Sequence, residues 1–201
     1  PSEVRQFISS IVGEEYEDLF ITALGTGLRQ SELLGLRKRN LSLLSDPPVV
    51  SVTETLQRYG PAFRFEEPKS KSSTRTIAIP SSVVTALKRQ LSRTFDNQLL
   101  IGDEYEDWGL VFANINGTPL RDYVIRKRFY RIQEEAGLRR QRFHDLRHCY
   151  ASFLLATGVN DQVLQENLGH STITITKNTY THLMPSMKAD AVEKLEELLF
   201  Q

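Results

Sequence analysis

A single cysteine, Cys149, occurs in the 201 residues. That scarcity excludes an internal disulfide framework and suits a reducing compartment. Cys149 is expected to pack as a small hydrophobe rather than to act as a nucleophile. No apolar run approaches the roughly 18 residues of a membrane span, and no charged-then-apolar leader opens the chain. The expectation is a cytoplasmic protein with no membrane partner. The first residue is Pro1 rather than Met, as in a fragment of a longer protein. There is no internal repeat and no low-complexity tract, which excludes solenoids and linkers. Net charge is also missing: 25 basic residues balance 25 acidic ones. A uniformly basic nucleic-acid binder is therefore excluded, but a molecule with one positive face is not. Between Arg121 and Arg147 there are nine Lys or Arg against four Asp or Glu, whereas Thr94 to Trp108 holds five acids and no base.

What is present is mostly helical pattern. Apolar spacing predicts helices over 3–12 and 14–24, broken near Gly13, and a short helix opening near Arg29. The period then changes. "VVSVTET", "FRFEE" and "TRTIAIP" read as three short strands of one antiparallel sheet, with a hairpin turn at Gly60-Pro61. "PKSKSS" between the last two is turn chemistry. Ser81 or Ser82 caps a helix running to about Arg93. "GLVFANINGTPL" is an apolar segment turning at Asn116-Gly117. Helices are expected at 120–136, 143–157 and 160–168, with Gly137 and Gly158 at C-cap positions. A last one, at 186–199, carries Met187, Val192, Leu195 and Leu199 on one stripe. The fold class is α+β, mostly helical, with one small three-stranded sheet in the N-terminal half and no domain boundary.

Three islands carry chemistry. In "RFHDLRHCYASFLLATG", His144, Arg147 and His148 recur at i, i+3, i+4 and so share a helix face. Leu146, Tyr150, Phe153 and Leu154 suit the core on the other side. His144 and His148 resemble a paired-histidine zinc motif, but Arg147 would set a fixed cation beside the metal and no third ligand follows at motif spacing. Anion binding by a guanidinium fork is the better reading. "TGLRQSE" supplies a second cation, Arg29, at the start of a helix where free N–H groups also favour anions. Glu32 is placed to orient it. The turn adds Lys69 and Lys71. "LGHSTITITKNTYTHL" adds His170 and Tyr180, a candidate nucleophile.

These pieces, "TGLRQSELLGL", "PKSKSSTRTIAIP", "HDLRHCYAS", "LGHSTITITKNTY" and the trailing "THL", together resemble the catalytic domain of the tyrosine recombinases, the phage integrase family. They lie in the family's order across residues 25–183. The resemblance implies that residues 1–201 are one catalytic domain, without the N-terminal core-binding and arm-binding domains. It implies that Arg29 and Arg147 hold the non-bridging oxygens of the scissile phosphate, supported by Glu32. His144 would be the first histidine of the His-x-x-Arg element and His170 that of the second box. Tyr180 would attack phosphorus to give a 3′-phosphotyrosyl linkage. Lys69 would protonate the leaving 5′ oxygen, with Lys71 as the alternative on the same loop.

The chemistry is consistent with that inventory. Phosphoryl transfer gathers charge on equatorial oxygens, and two arginines stabilise it without a metal or cofactor. A tyrosine with a free pKa near 10 needs a base or a cationic field. Lys71, Arg121, Arg126, Lys127 and Arg142 would contact backbone phosphates without reading sequence. The implied function is site-specific recombination or integration for a phage or other mobile element. Its implied partners are double-stranded DNA, other copies of the chain (a tetramer on DNA in the full-length protein) and DNA-bending accessory proteins. Two alternatives are a type IB topoisomerase-like enzyme and a non-catalytic DNA-binding module of the same fold. The order and spacing of the boxes speak against the first, and retention of every box against the second.

Overall fold

The computed structural model describes residues 2–67 and 73–169. Helix α1 (Ser2–Ser10) buries Phe7 and α2 (Glu17–Thr26) buries Leu19, Phe20, Ala23 and Leu24. Between them lies a turn rather than helix over 14–16, and Glu17 and Asp18 occupy the favourable acidic first turn of α2. The short α3 (Gln30–Leu34) follows at once. Helix α5 (Asp122–Glu135) packs Phe129 edge-on against Phe7 (centroids 5.3 Å) and Phe143 (5.6 Å). Phe20 completes this aromatic knot, 5.7 Å from Phe7. The knot joins α1, α2 and α5 to the turn that leads into α6 (Asp145–Ala156). Ring contacts of this kind add about 0.5–1.5 kcal/mol each beyond burial. A second, smaller cluster of Tyr150, Phe153, Leu154, Leu164 and Leu168 holds α6 to α7 (Asp161–Leu168). Asn160 caps α7 by accepting from the Val163 amide at 2.9 Å.

The strands depart from expectation. There is a three-stranded antiparallel sheet, β1 (Leu41–Ser42), β2 (Val49–Val52) and β5 (Arg75–Ala78), in the order β1-β2-β5. Phe63–Glu66 does not belong to it. That segment lies in β4 (Ala62–Glu66), which pairs with β3 (Thr55–Tyr59) as a separate hairpin, Leu56 opposite Phe65, turning at Gly60-Pro61. The break falls at Thr53-Glu54, where Glu54 is tied to Arg37 and Arg39 at 2.9 Å each. These ion pairs sit at the break between the two sheets, and local alternation carries no sign of it.

Helix α4 (Ser81–Ile101) also runs about two turns past the expected end. Its extension exposes Phe95, Leu99 and Leu100, so no buried stripe marks it. Helices α5, α6 and α7 stand where expected, within one or two residues. Gly137 and Gly158 have φ of +65° and +80°, as C-terminal caps require. Segment 109–120 forms isolated bridges, Arg37 with Leu110 and Ala113 with Pro119, around a turn in which Gly117 has φ +84°. The expected helix at 186–199 lies outside the described residues. No helix among the described residues is long and apolar enough to cross a membrane.

Candidate active site

Gly27 sets up the first part of the site. It caps α2 in the left-handed region, φ +61°, and a Cβ there would stand 2.3 Å from the Tyr150 ring. Only glycine allows the reversal and the close approach together. Two residues later Arg29 enters α3 as its N-cap. The Arg29 amide donates to Glu32 Oε2 and its Nη1 donates to Oε1, each at 2.8 Å. Arg29 Nη2 reaches the carbonyl of Gly169 at 3.3 Å, 140 residues away.

Arg147 projects from α6 into the interior, 4% exposed. Its Nη1 donates to Gly27 O at 2.7 Å and its Nη2 to Leu168 O. Arg29 and Arg147 therefore meet at one place, the end of α7, where Gly169 closes the helix at φ +61°. His144 is the N-cap residue of α6, with near-helical φ and ψ of −60° and −24°. Its ring meets that of His148 edge to face, centroids 5.1 Å apart. Both imidazoles are half-buried, and burial lowers their pKa values, helped for His144 by the neighbouring His148 and Arg147 charges. At neutral pH, His144 is thus an uncharged imidazole able to take a proton. Arg147 is buried, while His144 and His148 pair beside it. Among the described residues no three His, Cys, Asp or Glu gather as a metal-ligand set.

Glu32 is 2% exposed. Burial pushes its carboxyl up, but the Arg75 guanidinium and then Arg29 outweigh this and hold it below the usual carboxylate range. Arg75 was missed by sequence reasoning. The signal was there: in "TRTIAIP" the alternation puts Arg75 on the same face as Ile77, and both are buried. An arginine on the inward face of a strand requires a carboxylate partner.

Of the proposed DNA contacts, Arg121 and Lys127 are exposed at the start and middle of α5. Arg126 pairs with Asp122 one turn back and lines a cleft of about 750 Å³ beside Gln30 and Arg58. Arg142 is largely exposed and pairs with Asp145 at 3.2 Å. Lys69, Lys71, His170 and Tyr180 lie outside the described residues. Cys149 packs partly buried against the core, and burial raises its thiol pKa.

A buried carboxylate and two arginines that converge on the end of α7 make a cationic site suited to an anion, and comparison with known proteins gives the family. The phage integrase family model matches residues 3–187, so this chain belongs to the phage integrase family. A tyrosine recombinase XerC-like protein of Caldanaerobacter subterraneus is 35% identical, over 98% of this chain and 53% of its own length. The ICEBs1 integrase of Bacillus subtilis is 25% identical, over 99% and 54%. The chain thus spans about half the length of the curated relatives it matches. Among solved structures, the Tn1549 transposon integrase in complex with transposon right end DNA superposes with a TM-score of 0.76 at 26% identity, covering 100% of this chain and 65% of that one.

Proposed function

We propose that this chain is the catalytic domain, residues 1–201, of a site-specific DNA recombinase or integrase of a mobile element, working inside a bacterial cell. The observation that carries the reading is the convergence of Arg29 and Arg147, 118 positions apart, on the end of α7. Two fixed cations side by side suit the two non-bridging oxygens of a phosphodiester. Tyr180 Oη attacks phosphorus, the bond to the 5′ oxygen breaks, and Lys69, or Lys71 in its place, delivers the proton to that oxygen. His144 or His170 takes the proton that Tyr180 Oη gives up as it attacks. The 3′-phosphotyrosyl ester keeps the bond energy, so the reverse attack by a 5′ hydroxyl rejoins strands without a cofactor. Arg121, Arg126, Lys127 and Arg142 contact backbone phosphates and contribute salt-dependent affinity. The working assembly is a homotetramer on double-stranded DNA, with DNA-bending accessory proteins and N-terminal domains outside these residues.

The test is incubation with a nicked half-site duplex made from the ends of the element that carries the gene. A covalent protein–DNA adduct is expected with the wild type, and none with Tyr180→Phe, whose DNA binding stays within about threefold because only a hydroxyl is lost. Adducts persisting in that variant would refute the assignment of Tyr180.

A further inference from the structure

Arg75 lies on β5, inside the stretch "PKSKSSTRTIAIP" but with no role that the resemblance assigns, and its side chain is only 5% exposed with every polar end engaged. Its Nη1 donates to Glu32 Oε1 at 3.0 Å and its Nη2 to Oε2 at 2.8 Å. Its Nε donates to Asn167 O at 2.7 Å, and Nη1 also reaches Ser73 O at 3.1 Å. Each Glu32 oxygen is thereby shared. Oε1 takes Arg75 Nη1 and Arg29 Nη1, and Oε2 takes Arg75 Nη2 and the Arg29 amide.

Two consequences follow from that sharing. The fork–fork contact with Arg75 fixes the plane of the carboxylate, and that plane decides where Arg29 can sit. One negative charge is also divided between two guanidiniums, so the trio keeps a net positive charge. Without Arg75 the carboxylate would be neutralised by Arg29 alone, and the pocket would lose its surplus. A buried ion pair is weak ground for stability, since apolar residues of similar volume often serve as well. Its place here, against the end of α7 that both Arg29 and Arg147 touch, gives it another use.

We propose that Arg75 is a positioning residue: through Glu32 it orients Arg29 and leaves that guanidinium its charge for the scissile phosphate. This rests on the reading of the pocket as a DNA cleavage site. Arg75→Lys keeps the charge but has no planar fork. Arg75→Gln removes the charge.

The experiment is single-turnover cleavage of the nicked half-site by the protein with its natural flanking sequence, protein in excess, with DNA affinity measured separately. Two substrates are used, one with the natural scissile phosphate and one with a methylphosphonate, in which a methyl group replaces a non-bridging oxygen and its charge. On the phosphate, Arg75→Lys lowers the cleavage rate constant about 100-fold, the scale of a misplaced catalytic group, with DNA affinity unchanged. On the methylphosphonate the penalty shrinks sharply, as it does for Arg29→Lys, because there is no longer a charge for Arg29 to meet. An equal penalty on both substrates overturns the proposal, as does a loss confined to the fraction of active protein with the rate constant intact. Arg75→Gln, if it folds poorly, is read only by its thermal midpoint, and Arg75→Lys decides. A wild-type protein that forms no adduct on the phosphate, while folded and bound to the DNA, overturns the reading of the site itself and the role of Arg75 with it.

Discussion

Arg29 and Arg147 donate to consecutive carbonyls, Arg29 Nη2 to Gly169 at 3.3 Å and Arg147 Nη2 to Leu168. The C-terminal end of α7 thereby holds both guanidiniums from one side, as the negative end of a helix dipole favours. Arg147 also bridges to Gly27 at 2.7 Å, so one side chain joins the ends of α2 and α7. A lysine head cannot span both carbonyls. Arg147→Lys is expected to slow half-site cleavage by about 10²–10³-fold, the usual loss for one transition-state donor. Cleavage rates within threefold of wild type would remove Arg147 from the reaction.

Gly27 and Gly60 share a left-handed backbone, φ +61° and +60°, but not an environment. A Cβ at Gly60 meets nothing within 4 Å, whereas one at Gly27 meets the Tyr150 ring at 2.3 Å. Gly60→Ala should cost about 1 kcal/mol, the backbone penalty alone. Gly27→Ala should cost about 2–5 kcal/mol, because overpacking adds to it. Urea denaturation of the two variants checks the difference, and equal midpoints would contradict the packing described around Tyr150.

Tyr150 offers a control for the nucleophile. It is 1% exposed within the α6–α7 cluster, and burial drives its phenol pKa far above the ordinary tyrosine value. Such a hydroxyl neither reaches a phosphate nor ionises readily. Tyr150→Phe should keep adduct formation and lose only about 1 kcal/mol of stability, one hydrogen bond's worth. Loss of the adduct in a folded Tyr150→Phe protein would move the nucleophile away from Tyr180.

The histidine pair predicts a pH dependence. Burial lowers both His144 and His148 below the ordinary imidazole value, with Arg142 and Arg147 adding to the shift and Asp145 opposing it. The unfolded chain takes up these protons first, at about pH 6.5. Stability should therefore fall as pH drops from about 6.5 toward the lowered folded values, and be insensitive to these groups above that window. If His144 must be neutral for cleavage, the rate falls on the same acid side. His148→Gln removes one cause of the His144 shift, so the acid limb of the rate should move to higher pH. A limb that stays in place would separate His144 from the proton transfer.

Much of this molecule was readable from residue order. The stripe Leu19, Phe20, Ala23 and Leu24 marked α2, and Gly137 and Gly158 marked helix ends, because those features are local. The early end assigned to α4 was wrong because Phe95, Leu99 and Leu100 bury nothing, so periodicity had nothing to report. The hairpin was misassigned for a different reason. "VVSVTET" runs on as one strand in sequence, but the strand ends at Val52 and Glu54 pairs with Arg37 and Arg39, contacts from a distant segment that no local alternation reports. The site divides in the same way. Arg29, Glu32, His144 and Arg147 stand out through their motifs. Arg75 does not, although its inward register among Ile77 and Ile79 was a usable sign.

By itself the order of residues determined the helices with buried stripes, the glycines that end them and the set of side chains able to handle a phosphate, since each depends on neighbours a few positions away. The tertiary structure alone decided that Glu32 would face Arg75 across 43 positions, that Arg147 would reach Gly27 across 120, and that Arg29 would find Gly169 across 140. Contacts of that span are made by the packing of whole helices and strands, and no local pattern encodes which of them meet.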